Sequence, residues 1–216
     1  MPGPSKRTSS FRPGVGRLKI GVVAFQGDVS EHVDAMERAL GGEGSVVEVR
    51  SRGIVPDCDG IVLPGGESTT ISRHLARTGV GDEVRAAARS GVPLMATCAG
   101  LIVISKEIVE ETRFEPLGLL DVRVMRNAFG SQRESFETDL DVNGFDSPYR
   151  AVFIRAPAIV GWHDDVDILA RIEDMAVVVR QENLMGLAFH PELTNDLRFH
   201  EIFLGMIKEV RIHVRH

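Results

Sequence analysis

The chain has 216 residues, 43% hydrophobic and 26% charged, enough apolar side chains for one core without covalent staples. Its net charge of −6 removes any global electrostatic case for a nucleic-acid partner. Two cysteines, Cys58 and Cys98, make no disulfide framework. No apolar run reaches the about 18 residues that a membrane span needs, so a cytoplasmic protein with no membrane partner is expected.

Residues 1–17 carry four basic side chains, no acidic one, and much Pro, Gly and Ser, without an apolar segment of signal-peptide length. They read as a basic, disordered extension before a single domain over 18–216. LKIGVVAF (18–25) is a continuous β-branched run, the pattern of a strand buried on both faces. Val29, Val33, Met36 and Leu40 then fall on one helical stripe, which GGEG (41–44) stops. SVVEV (45–49) and CDGIVL (58–63) are strands, the second ending in PGGEST. Helices are expected through Ile71–Leu75 and Glu83–Ser90. VPLMAT (92–97) is the next strand, and AGLIVISKE (99–107) looks helical. The alternation predicts an α/β fold, a three-layer sandwich around a mostly parallel central sheet. Ligands in such sheets bind at the carboxyl ends of the strands, where QGD, PGGEST and TCAG all lie.

The second half changes character. Segments 119–126, 134–142, 151–156, 166–172, 175–181 and 185–190 are strand-like with few helical patterns between them, which predicts a small antiparallel portion. A closing helix is expected from about Asn195, with Phe199, Phe203, Met206 and Val210 along one side.

Cys98 follows a strand and precedes a helix, in Ala96-Thr97-Cys98-Ala99-Gly100. This is the small-x-nucleophile-x-Gly pattern of a nucleophile elbow, whose strained turn needs small neighbours. Such a turn presents the sulfur at the sheet edge, aims a helix N-terminus at it, and offers the Ala99 N–H to a developing oxyanion. Cys58, by contrast, opens a core strand and reads as structural. His190 follows the apolar run MGLAF and is placed to serve as the base, with Glu192 two residues on to orient the ring. Gly65 and Gly66 let a backbone approach a ligand and complete an oxyanion hole. The Gly-Lys-Ser/Thr of a phosphate loop is absent from this stretch. No histidine cluster has the spacing of a zinc site, and no metal or cofactor is expected.

PGGEST, TCAGL, RNAFG, ESFE, FIRAP and FHPEL, in this order and spacing, resemble the glutaminase subunits of pyridoxal 5′-phosphate synthase, which are triad (class I) glutamine amidotransferases. The resemblance runs from about Leu18 to Lys208. It implies hydrolysis of L-glutamine to glutamate and ammonia, with Cys98 as nucleophile through a γ-glutamyl thioester, His190 as base and Glu192 orienting it. It assigns Gly66, Glu67, Ser68, Arg126, Ile154 and Arg155 to the glutamine site. It also implies delivery of ammonia to a (β/α)8 synthase subunit, whose binding reorganises the oxyanion turn and activates the glutaminase. Arginines suit an α-carboxylate, and Glu67 suits either the α-amino group or the cap of the following helix. Two positions depart from the family pattern: Ala96 stands where Gly is usual, and Ser131 where Arg is usual. A different triad amidotransferase, a γ-glutamyl hydrolase or a peptidase-like enzyme would share the Cys and His but not GGEST with RNAFG. A silent scaffold would have no need of an activated thiol.

Overall fold

The computed structural model describes residues 16–130 and 134–213. Most of the expected N-terminal extension and Ser131 lie outside them. Gly16 and Arg17 are tied to the body: Arg211 Nη1 donates to the Gly16 carbonyl at 2.8 Å, and Arg17 Nη2 donates to the Gly42 carbonyl at 2.6 Å.

The first half runs β1 (Leu18–Val23), α1 (Val29–Leu40), β2 (Gly44–Val49), β3 (Gly60–Leu63), α2 (Ser68–Thr78), α3 (Val80–Arg89), β4 (Leu94–Thr97) and α4 (Ala99–Ile104). Gly41 stops α1 in the left-handed region, and its N–H reaches the carbonyls of Glu37 and Arg38. The second half runs β5 (Ser105–Ile108), β6 (Leu120–Met125), β7 (Ser135–Leu140), β8 (Tyr149–Ile154), β9 (Ala158–Trp162), β10 (Asp167–Ile172), β11 (Met175–Gln181), β12 (Leu184–Leu187) and α5 (Arg198–His213). The large sheet has the order β2-β1-β3-β4-β12-β11-β9-β6-β5, with β10 on β11; β7 and β8 form a separate hairpin. The step from β1 to β2 moves one way across the sheet and that from β3 to β4 the other. Right-handed crossovers therefore place α1 and α2 on opposite faces. α5 packs with α1, and α3 and α4 with α2, which completes the three layers.

The five strands from β2 to β12 are parallel; β1, β3, β4 and β12 are buried almost throughout, as the continuous apolar runs require, whereas the edge strand β2 buries only Val49. From β12 onward the sheet continues through antiparallel β11, β9 and β6. β12 lies beside β4 in parallel, with Thr97 opposite Leu187 and Ala96 opposite Gly186. The methyl of Ala96 thus faces a residue with no side chain.

Three expectations are corrected. The helix after Cys98 ends at Ile104, where the Ser105 hydroxyl donates to the Ile102 carbonyl at 2.8 Å; Ser105–Ile108 is drawn out as a strand by pairing with β6. AIVGW, past the Pro of FIRAP, is a strand that joins β6 to β11. The buried face of α1 is His32, Ala35, Met36 and Leu40, with Val29 and Val33 half-buried at its margin. Among the described residues no helix is long and apolar enough to cross a membrane.

Aromatic side chains fasten the β7–β8 hairpin to the sheet. Tyr149 meets Phe199 of α5 edge-on at 4.7 Å, and Phe153 meets Phe189 at 5.3 Å, which in turn meets Phe199 at 5.5 Å. Phe199→Ala is expected to cost about 3–5 kcal/mol of stability in urea unfolding, since the ring is fully buried at the centre of this cluster. A loss below about 1 kcal/mol would mean that the hairpin is held by other contacts.

Candidate active site

The site follows from the register of β4 and β12. Cys98 is the first residue past Thr97, and His190 lies three residues past Leu187, so two adjacent strand ends deliver them to one rim. Cys98 has φ 48° and ψ −111°, a conformation that side chains other than Gly rarely adopt. Its N–H is held by the Leu187 carbonyl at 2.8 Å, and its thiol points at the Ile154 carbonyl at 3.8 Å. Gly100 permits this turn, because a Cβ there would collide with the Leu63 carbonyl. Cys98 is 6% exposed, yet it lines a cleft of about 360 Å3. Cys58 is sealed in the core, donates to the Ile54 carbonyl at 3.3 Å, and is pushed up by burial to about 11.

His190 Nδ1 lies 2.6 Å from Glu192 Oε1, and its backbone N–H donates to the Val152 carbonyl at 2.9 Å. Burial pulls the ring's pKa down, but hydrogen bonding and charge from Cys98 and Glu192 outweigh it and raise the imidazole to about 10. Burial pushes the Glu192 carboxyl above its usual range, and the His190 hydrogen bond offsets only part of that. Gly65 packs against both partners: a Cβ there would lie 2.7 Å from His190 Cε1 and 3.2 Å from Cys98 Cβ. Gly66 has φ 138°, and Gly27, also at positive φ, leaves room for the Gly65 carbonyl that any Cβ would strike. The Ala99 N–H sits at the first turn of α4, where helical N–H groups have no partner within the helix.

The cleft is lined by Gly66, Glu67, Ser68, Cys98, Ala99, Arg126, Ile154, Arg155 and His190, all singled out in the sequence; Gly65 and Glu192 lie directly behind it. Arg155 and Asn127 share positive φ with Cys98, so three of the five non-glycine residues in that state among the described residues line the cleft. Arg155 is held by its N–H on the Glu134 carbonyl at 2.5 Å. Of the two uses open to Glu67, the structure displays the cap. Its carboxylate accepts from Thr69 N at 2.9 Å, Thr70 N at 2.7 Å and Thr70 Oγ1 at 2.7 Å. Burial pushes this carboxyl up more than any one bond pulls it down, but the bonds from Thr70 and Thr69 together prevail and hold it at about 2.

Sequence reasoning placed QGD at this edge without assigning its residues. Gln26 Oε1 accepts the Glu67 N–H at 3.0 Å, and Asp28 Oδ2 lies 3.3 Å from His190 Nδ1. Asp28, His190 and Glu192 offer three ligand atoms within 4.8 Å of one another. His190 Nδ1 and Glu192 Oε1 are already committed to each other, so the cluster is organised as a hydrogen-bond relay.

A thiol on a strained elbow, an imidazole–carboxylate pair and adjacent glycine N–H groups form the constellation of a cysteine hydrolase. The model of the SNO glutamine amidotransferase family matches residues 22–209. The chain belongs to that family. Among curated relatives, the pyridoxal 5′-phosphate synthase subunit PdxT of Methanosarcina acetivorans is 57% identical over 196 residues, covering 88% of this chain and 98% of its own. The protein of the same name from Methanothrix thermoacetophila is 58% identical over 186 residues, covering 86% and 98%. A solved structure described as a glutamine amidotransferase is 44% identical with a TM-score of 0.81, covering 88% of this chain and 98% of its own. A putative GMP synthase component from Thermoplasma acidophilum, 21% identical with a TM-score of 0.65 over 94% of this chain and 100% of its own, shares the fold.

Glu67→Ala is expected to cost about 1 kcal/mol near neutral pH, the worth of a helix cap. The folded carboxyl is depressed to about 2, so the cap's contribution is full above the unfolded value of about 4.3 and fades as pH falls toward about 2. Urea unfolding of both proteins at about pH 7 and about pH 3 checks this: the gap between them should narrow at the lower pH.

Proposed function

We propose that this chain is the glutaminase subunit of a pyridoxal 5′-phosphate synthase, hydrolysing L-glutamine and passing ammonia to a (β/α)8 synthase subunit. The observation that carries the reading is the convergence of Cys98 and His190 on one cleft, with Glu192 behind it and bonded to His190 at 2.6 Å. The names of the relatives from Methanosarcina acetivorans and Methanothrix thermoacetophila supply the pathway.

In this reading the Cys98 sulfur gives its proton to His190 and attacks the side-chain amide carbon of glutamine. The raised proton affinity of the imidazole favours that transfer, and Glu192 keeps Nδ1–H aligned. The tetrahedral oxyanion is met by the N–H groups of Ala99 and of the Gly65–Gly66 turn. Collapse breaks the C–N bond, the amide nitrogen takes the proton from His190, and ammonia departs, leaving the γ-glutamyl thioester. A water molecule, deprotonated by His190, then attacks the thioester carbon; the C–S bond breaks, the sulfur takes the proton back from His190, and glutamate departs. Arg126 and Arg155 bring guanidinium groups to the cleft for the α-carboxylate, while the Ile154 carbonyl and Ser68 line its wall. Glu67 acts by holding the loop that carries Gly66 and Ser68.

Ammonia release from glutamine, assayed with the synthase subunit present, should fall by at least about a thousandfold in Cys98→Ala. Intact release in that variant would remove Cys98 from the mechanism. His190→Asn should keep the fold by circular dichroism and lose turnover; full activity would disqualify the imidazole as base. A glutamine-mimicking electrophile should modify Cys98 and spare Cys58, read by peptide mass spectrometry. Equal modification of both thiols would contradict the elbow.

A further inference from the structure

Behind the triad lies a buried polar cluster that the steps above do not use. His32 is fully buried on α1, one turn past Asp28. Its Nε2 lies 3.0 Å from Thr97 Oγ1 and 3.2 Å from Glu192 Oε2. Glu192 Oε1 is taken by His190, whereas Oε2 is buried without a hydrogen-bond partner among the described residues, as is Nδ1 of His32. A buried carboxylate oxygen beside a bare ring lone pair would be repelled, so Nε2 carries the proton. Burial first, then the neighbouring His200 and His190, drives His32 well below the usual imidazole range, which keeps the ring neutral. A neutral ring with its proton at Nε2 is a donor that persists through the physiological range.

We propose that His32 is a positioning residue of the glutaminase site: its Nε2–H is shared between Thr97 Oγ1 and Glu192 Oε2, fixes the carboxylate that holds His190, and ties it to the strand residue next to Cys98. The proposal rests on the glutaminase reading above. One imidazole thus links α1, the end of β4 and the acid of the triad. Thr97 and Glu192 reach it from β4 and from the loop after β12, and both are buried. The groups around Glu192 are His190 from its own loop, Asp28 and His32 from α1, and the Tyr149 phenol from β8; His200 of α5 faces His32 with ring centres 6.5 Å apart. Towards solvent, Glu31, Asp34, Glu37 and Arg38 of α1 and Asn195 line the opening beside Glu192. Without the His32 donor, Glu192 binds a proton more readily. The protonated acid no longer orients or stabilises the His190 imidazolium, so the acid limb of activity moves to higher pH.

The test is the pH profile of glutamine kcat/KM, with the synthase subunit bound, in wild type, His32→Leu and His32→Gln. His32→Leu removes the donor, and His32→Gln returns an amide N–H near the position of Nε2. The expected result is a loss of about tenfold in kcat/KM for His32→Leu, carried by kcat, with the acid limb raised and KM unchanged; His32→Gln recovers most of it. Equal losses in both variants with an unmoved acid limb would reduce His32 to a filler of volume and overturn the proposal. Should His32→Leu fail to fold, 15N NMR of histidine-labelled wild type decides: a neutral Nε2–H tautomer supports the proposal, and an Nδ1–H tautomer overturns it. Absence of ammonia release in the wild-type complex would strike the glutaminase reading itself. An active wild type with an indifferent His32→Leu strikes only the role of His32.

Discussion

The parallel pairing of β4 with β12 is the constraint from which the site follows. These strands are far apart in sequence, yet Thr97 lies opposite Leu187, and the two chains turn out of the sheet side by side. Cys98 and His190 have no local reason to meet; they meet because each is the continuation of a buried strand. The pairing demands close packing, and the sequence provides it: Ala96 faces Gly186, and a Cβ on Gly186 would lie 2.7 Å from Leu101 Cδ1. A larger side chain there would push α4 off the sheet and with it the helix end that begins at Ala99.

Electrostatics then sorts the titratable groups at the rim. Glu192 is buried and would by itself be costly as an anion. That cost is offset in part by the hydrogen bond to His190, whose own proton is retained by Cys98 and Glu192. Glu67, which lines the same cleft as Cys98, shows the opposite balance. It is more open, accepts three hydrogen bonds at a helix start, and is anionic throughout the usual range. One carboxylate is paired with an imidazole and the other caps a helix, a division set by burial and by what each accepts.

Much of this was legible in the sequence because the informative residues sit on strong local patterns. α1 has the bounds that its periodicity predicts, and the strand-then-glycine and strand-then-cysteine signatures mark the turns that line the cleft. Ser105–Ile108 was illegible as a strand because its only reason to be one is a partner, β6, that lies beyond a long loop. AIVGW was hidden behind a proline and depends on two such partners. His32 escaped notice because a histidine inside an amphipathic stripe looks like a helix margin until the fold turns that face inward. Asp28 lay in a turn already placed at the right edge, but only the folded geometry puts its carboxylate beside His190.

The β7–β8 hairpin touches Cys98 and His190 through its backbone. The Val152 carbonyl receives the His190 N–H, and the Ile154 carbonyl receives the Cys98 thiol. Carbonyl oxygens are the same whatever side chain a residue carries. The outer face of the hairpin, where Arg150 pairs with Glu137 and Asp139, is therefore free to drift in sequence while the inner contacts stay constant. A lineage can rewrite that surface without rewriting its chemistry.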